Sequence, residues 1–129
     1  MDAQTVLLLD DDLNTLLALH AILERTHVNV IECENETCAK NWCAEATNGI
    51  DVMVADVVLP TTNGPAVVKK LKPLQPLMRL LFISGFSLAE LRRRSLLREE
   101  DLAPGRVEFL QKPFAPETFI ATVNTLLRA

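Results

Sequence analysis

An α/β chain, in which a parallel sheet is covered by helices on both faces, is what this sequence predicts. Five short apolar runs recur along it, and each is followed by a longer segment with apolar residues at helical spacing. The runs are apolar at consecutive positions rather than at alternate ones, as expected of strands buried on both faces. Several of them end in a charged or hydroxyl residue, so one edge of such a sheet would collect the chemistry.

The elements follow in order. Thr5–Leu9, "TVLLL", is a bounded apolar strand, and "LNTLLALHAILER" after it carries Leu16, Leu19, Ile22 and Leu23 on one helical face. Asp12 is a suitable N-cap for that helix. "VNVIE" reads as a second, weaker strand. "ETCAKNWCAEA" reads as a helix with Ala39, Trp42, Cys43 and Ala46 facing the core, stopped by Asn48-Gly49. "DVMVAD" is the third strand. "GPAVVKKLKPL" is a helix opened by Pro65 and ended by Pro73 and Pro76. "RLLFISG" is the fourth strand, and "LAELRRRSLLREEDL" reads as one charged amphipathic helix. Pro104-Gly105 turns the chain into "VEFLQ", the fifth strand. Pro116 opens the last helix, with Phe119, Val123 and Leu126 in line and Ala115 as a poor cap. Parallel neighbours joined this way require right-handed crossovers.

The totals narrow the function classes. A chain of 129 residues that is 49% hydrophobic suits one domain, expected over residues 1–129, with a real core. A net charge of −4 argues against nucleic acid as a direct partner. No apolar run is long enough to span a membrane, and "MDAQTV" lacks the features of a signal peptide. Cys33, Cys38 and Cys43 form no C-x-x-C pair. They read as three free thiols packed in a reducing compartment, the cytoplasm.

If the sheet is parallel, its carboxyl edge gathers Asp10, Asp11 and Asp12 from strand one, Asp56 from strand three, Ser84 from strand four and Lys112 after strand five. Crowded carboxylates repel, and a hard divalent cation such as Mg²⁺ relieves that repulsion. A phosphoryl group is what metal, ammonium and hydroxyl would hold together. Asp56, set among apolar neighbours, is the candidate nucleophile, and its product would be an aspartyl phosphate.

These residues resemble a known family. "VLLLDDD", "DVMVADVVLPTTNG", "LLFISG" and "FLQKPF", in that order and over essentially the whole chain, are similar to the CheY-like receiver domains of two-component response regulators. The resemblance implies a flavodoxin-like, doubly wound (βα)5 fold with strand order 2-1-3-4-5. It implies Asp56 as phosphoacceptor and Mg²⁺ held by Asp11, Asp56 and the backbone carbonyl of Val58, with Asp10 acting largely through water. Ser84 and Lys112 would contact the phosphoryl group, Phe109 would be the switch aromatic, and the bond to Pro113 would be cis. Pro60 and Gly64 fall on the family's proline and glycine positions. The implied partners are a histidine kinase or phosphotransfer protein, and a second copy through the face of the fourth helix, fifth strand and fifth helix. Such a domain would assist only its own phosphorylation and dephosphorylation and would not otherwise be an enzyme.

Departures from the common pattern are Phe109, often tyrosine, and the apolar Val58 and Phe86 two residues beyond Asp56 and Ser84. A long segment between "SGF" and "FLQKPF" resembles receivers attached to hybrid sensor kinases, and no output domain is expected after Ala129. Read singly, Ser84 also suits a plain turn and Phe109 static core. His20 and His27 lack metal spacing. The arginines at 92, 93, 94 and 98 read as a solvated face because acids follow them. Two other functions fit less well. A haloacid-dehalogenase-type phosphohydrolase would use Asp10 and Asp12 as a D-x-D pair, but Asn14 stands where that family expects Thr or Val. A phosphorylation-independent interaction module would not need the full set of site residues.

Overall fold

The computed structural model describes residues 3–128, so Met1, Asp2 and Ala129 of the expected unit lie outside the described residues. Its elements are β1 (Thr5–Leu9), α1 (Leu13–Leu23), β2 (Asn29–Cys33), α2 (Glu36–Glu45), β3 (Val52–Asp56), α3 (Gly64–Leu71), β4 (Arg79–Ser84), α4 (Leu88–Arg93), β5 (Val107–Gln111) and α5 (Pro116–Arg128). All four strand pairings are parallel, and the order is β2-β1-β3-β4-β5. β3 is buried along its whole length and β1 and β4 nearly so, which is why their sequences are apolar at consecutive positions. The edge strands β2 and β5 are only partly covered and carry Asn29, Glu32, Glu108 and Gln111, polar residues that discourage further pairing.

Alternation along each strand sorts the core into two layers. Val6, Leu8, Val52, Val54, Leu81 and Ile83 face α1 and α5, packing on Leu16, Leu19, Leu23, Phe119, Val123 and Leu126. The opposite face packs Leu7, Leu9, Met53, Ala55, Leu80 and Phe82 on α2, α3 and α4. The chain leaves β1 for the β2 edge and then returns to β3 on the other side of β1. The strand order therefore reverses between β1 and β3, and a crevice opens at their carboxyl ends.

Helix starts are specified locally. Asp12, Asn35, Asn63 and Ser87 each accept, through their side chains, a hydrogen bond from an amide in the first turn of α1 to α4. α5 has only the Ala115 carbonyl to receive the Phe119 amide, at 3.1 Å.

Three readings of the sequence are corrected. Trp42 is 46% exposed: the stripe that meets the sheet is Ala39 and Cys43, and Trp42 projects from the shoulder of a helix lying near the sheet's edge. Cys33 and Cys38 are joined as a disulfide, because the turn capped by Asn35 folds the start of α2 back over the end of β2 and brings their Cα atoms to 5.4 Å. Only Cys43 is free, and it is buried. The expected long fourth helix stops at Arg93. Ser95 takes a left-handed conformation (φ 58°), with the Leu96 amide on the Leu91 carbonyl and the Ser95 amide on the Arg92 carbonyl, a Schellman ending. A 3-10 turn at Glu99–Asp101 follows. Leu97, beyond this ending, is buried in the same core layer as Leu91.

Phe119→Ala is expected to lower unfolding free energy by about 3–5 kcal/mol, while Trp42→Ala should change it by no more than about 0.5 kcal/mol. Urea titrations followed by circular dichroism measure both.

Candidate functional site

The carboxyl edge of β1 is assembled against its own electrostatics. Asp10 is almost wholly buried, a position carboxylates rarely take without partners. Its backbone amide donates to the Cys33 carbonyl at 3.1 Å, continuing the β1–β2 ladder. Its Oδ1 accepts from the Asp12 amide at 2.9 Å and its Oδ2 from Lys112 Nζ at 3.2 Å. Asp56, 9% exposed, ends β3. Its Oδ1 accepts from the Val58 amide at 3.1 Å and its Oδ2 from Lys112 Nζ at 2.9 Å. Asp11 is exposed beside them, and Asp10, Asp11 and Asp56 each offer an oxygen within 4.8 Å of the others.

Lys112 reaches this cluster from the far side of β4. Its amide donates to the Ser84 carbonyl at 2.7 Å, and a cis bond joins it to Pro113. Burial alone would lower its pKa. Hydrogen bonds and charge from Asp56, then Asp10, outweigh burial and raise it, so the ammonium form persists at neutral pH. The Asp10 pKa is raised, first by burial and further by the Asp56 charge, against the opposing pull of the Asp12 amide and Lys112. One ammonium between two buried acids leaves the cluster short of positive charge. The donors are hard oxygens, and their spacing and charge fit a small divalent cation such as Mg²⁺.

The remaining residues sit as follows. Ser84 is buried, and its Oγ accepts from the Phe86 amide at 3.0 Å. Val58 (38% exposed) and Phe86 (37%) stand in the loops that follow β3 and β4. The Arg94 guanidinium lies 4.4 Å from the Phe86 ring centre, a cation–π contact hidden from sequence reading inside the arginine run. Phe109 pairs in register with Phe82, and Ser84 with Gln111. Strand alternation thus puts Phe109 on the same sheet face as Ser84, where it packs half-buried on the second core layer.

Asp12 leaves the cluster to cap α1, accepting from the Asn14 amide and the Thr15 hydroxyl. Gly64 starts α3 so close to β3 that a Cβ there would lie 2.5 Å from the Asp56 carbonyl oxygen. Its missing side chain is a condition of Asp56's position. His20 joins Glu32 at 2.7 Å, away from any metal geometry. Arg92, Arg93, Arg94 and Arg98 pair with Glu90, Glu99 and Glu100. A groove of about 900 Å³ between α3 and the α4 region shares no residue with the acid cluster.

Comparison with known proteins points one way. A family described as "Response regulator receiver domain" matches residues 6–124. The chain is 27% identical over 123 residues to the sensor kinase CckA of Brucella abortus, which covers 95% of this chain and 12% of that protein. Among solved structures it resembles a response regulator receiver protein from Sinorhizobium medicae WSM419 (26% identity, 99% and 97% of the two chains, TM-score 0.80). It also resembles a CheY-like receiver domain protein from Methanospirillum hungatei JF-1 (20% identity, 98% and 95%, TM-score 0.80). The chain spans 12% to 37% of the length of the first curated relatives it matches.

The raised pKa of Asp10 gives a signed prediction for the metal-free protein. An acid raised in the fold above its ordinary 3.8 costs stability when ionised. That cost is full above the raised value and absent below the ordinary one. Asp10→Asn should therefore raise the melting temperature at pH 7 in chelator, and the gain should shrink as pH falls toward 4. Calorimetric scans across that range check it.

Proposed function

The chain belongs to the response regulator receiver-domain family of two-component systems, and we propose that within it Asp56 is the residue that accepts the phosphoryl group. The observation that carries this reading is the convergence of Lys112, Asp10 and Asp56 on one point, from positions remote in sequence. Receiver domains take phosphate from histidine kinases or phosphotransfer proteins. The donor here would be a phosphohistidine, with Asp56 attacking phosphorus as the phosphorus–nitrogen bond breaks. Transfer of this kind needs position and neutralisation more than covalent assistance.

Asp10, Asp11, Asp56 and the Val58 carbonyl would hold Mg²⁺, which when bound neutralises charge on the phosphoryl oxygens. The Val58 amide and Lys112 hold one oxygen each of Asp56 and so aim its carboxylate. Lys112 would exchange its carboxylate contacts for a phosphoryl oxygen. Ser84 would move toward the new group, and Phe109, on the same face, would fill the space it leaves. The α4-β5-α5 surface would then repack to engage partners or a second copy. Leu13 and Leu17, half exposed on α1 beside the site, suit the approach of the phosphodonor protein. We further propose cytoplasmic placement, a receiver unit over 1–129 that itself makes no direct nucleic-acid contact, and activity confined to its own phosphate. The phosphohydrolase alternative is not favoured: Asp12, its would-be acid–base, is occupied in capping α1.

Incubation with Mg²⁺ and acetyl phosphate should add one phosphoryl group by intact mass, and Asp56→Asn should add none. Steady release of phosphate from small esters without a labelled protein would overturn the reading. The Val58 and Phe86 amides donate to Asp56 Oδ1 and Ser84 Oγ, so their apolar side chains would hinder a water attacking beside them. Polar residues at both positions, such as V58N and F86Q, are expected to speed loss of the phosphoryl group roughly tenfold or more, on the scale of one positioned contact. Decay of the phosphorylated mass species after donor removal reads this.

A further inference from the structure

We propose that Cys38 and Cys33 form a reversible thiol–disulfide exchange site, whose co-reactant is a low-molecular-weight disulfide of the glutathione type. The two differ as an entering and a resolving thiol should. Cys38 is partly exposed and is the third residue of α2, where the helix dipole favours a thiolate. Cys33 is buried at the end of β2, reachable only by Cys38. Of the neighbouring acids, Glu36 is already paired with Lys70, so a thiolate at Cys38 meets less opposing charge from it. Cys43, by contrast, is buried and its thiol is pushed up by that burial, which leaves it inert.

The exchange balances in two steps. The Cys38 thiolate attacks one sulfur of the small disulfide, forming a mixed disulfide and releasing one thiolate, which takes a proton from water. The Cys33 sulfur, giving up its proton, attacks the Cys38 sulfur and releases the second small thiol. Two protein thiols and one small disulfide become one protein disulfide and two small thiols. In the cytoplasmic setting proposed above, such a bond is transient and reports the redox state rather than stapling the fold. Its location gives that report a target. The Cys33 carbonyl receives the Asp10 amide, so closing or opening the bond acts one hydrogen bond from the acid pair.

The test uses the full chain, reduced and then incubated with oxidised glutathione, followed by alkylation under denaturing conditions and intact mass. The wild type is expected to lose two alkylatable thiols and retain no adduct. Cys33→Ser, or Cys33→Ala if the first fails to fold, should retain one glutathione on Cys38, and Cys38→Ser should retain none. Three alkylatable thiols in the treated wild type, or equal modification of the two variants, would overturn the proposal. The link to Asp10 rests on the metal reading of that site and has its own readout, Mg²⁺ titration of closed and reduced protein by calorimetry. The closed form should bind more tightly by about fivefold or more, within the usual range of coupling between sites. Equal affinities overturn the link while leaving the exchange standing. Binding by neither form overturns the metal reading and the link with it.

Discussion

Lys112 holds together two carboxylates that would otherwise drive the sheet's carboxyl edge apart. Its ammonium lies 3.2 Å from Asp10 and 2.9 Å from Asp56, and no other cation among the described residues pairs with either. The site depends on that contact because the acids come from strands flanking the point where strand order reverses, and the lysine arrives from beyond β4. The fold presses three acids within a few ångströms of one another and supplies one compensating charge. Such an arrangement suits a divalent cation, whose charge relieves repulsion already present.

The constraint reaches into the surrounding structure. Gly64 carries no side chain because α3 must begin against the Asp56 carbonyl. The Lys112 amide is tied to the Ser84 carbonyl, so the residue that senses the acids and the residue facing the opposite layer share one hydrogen bond. Asp56 lies on the face packed by α1 and α5, while Ser84 and Phe109 lie on the face packed by α2, α3 and α4. A change of charge at Asp56 is thereby presented to both layers at once. Phe109, half-buried on an edge strand, has more room to move than the fully buried Phe119.

The neighbourhood of β2 adds a different kind of chemistry. The strand's last residue is at once a hydrogen-bond partner of Asp10 and half of a sulfur pair with Cys38. Signal entry by phosphate and redox state at the sulfurs would then bear on the same backbone segment. The exposed Trp42, one turn beyond Cys38, lies on the helix that would register such a change.

Much of this was legible in the chain itself. Consecutive apolar residues in "TVLLL", "VMVA" and "LLFI" forced strands buried on both faces, and alternation with helical segments forced the sheet to be parallel. Once parallel, it had to gather Asp10, Asp56, Ser84 and Lys112 at one edge. These readings hold because they depend on local periodicity and on strand direction, both written residue by residue. The pairing of Cys33 with Cys38, the exposure of Trp42, the early end of α4 at a left-handed Ser95 and the stacking of Arg94 on Phe86 were not legible. Each depends on how much neighbouring surface is left to cover a residue, or on the distance between atoms brought together by a turn. Such quantities exist only once the layers have packed, so tertiary structure alone decides them.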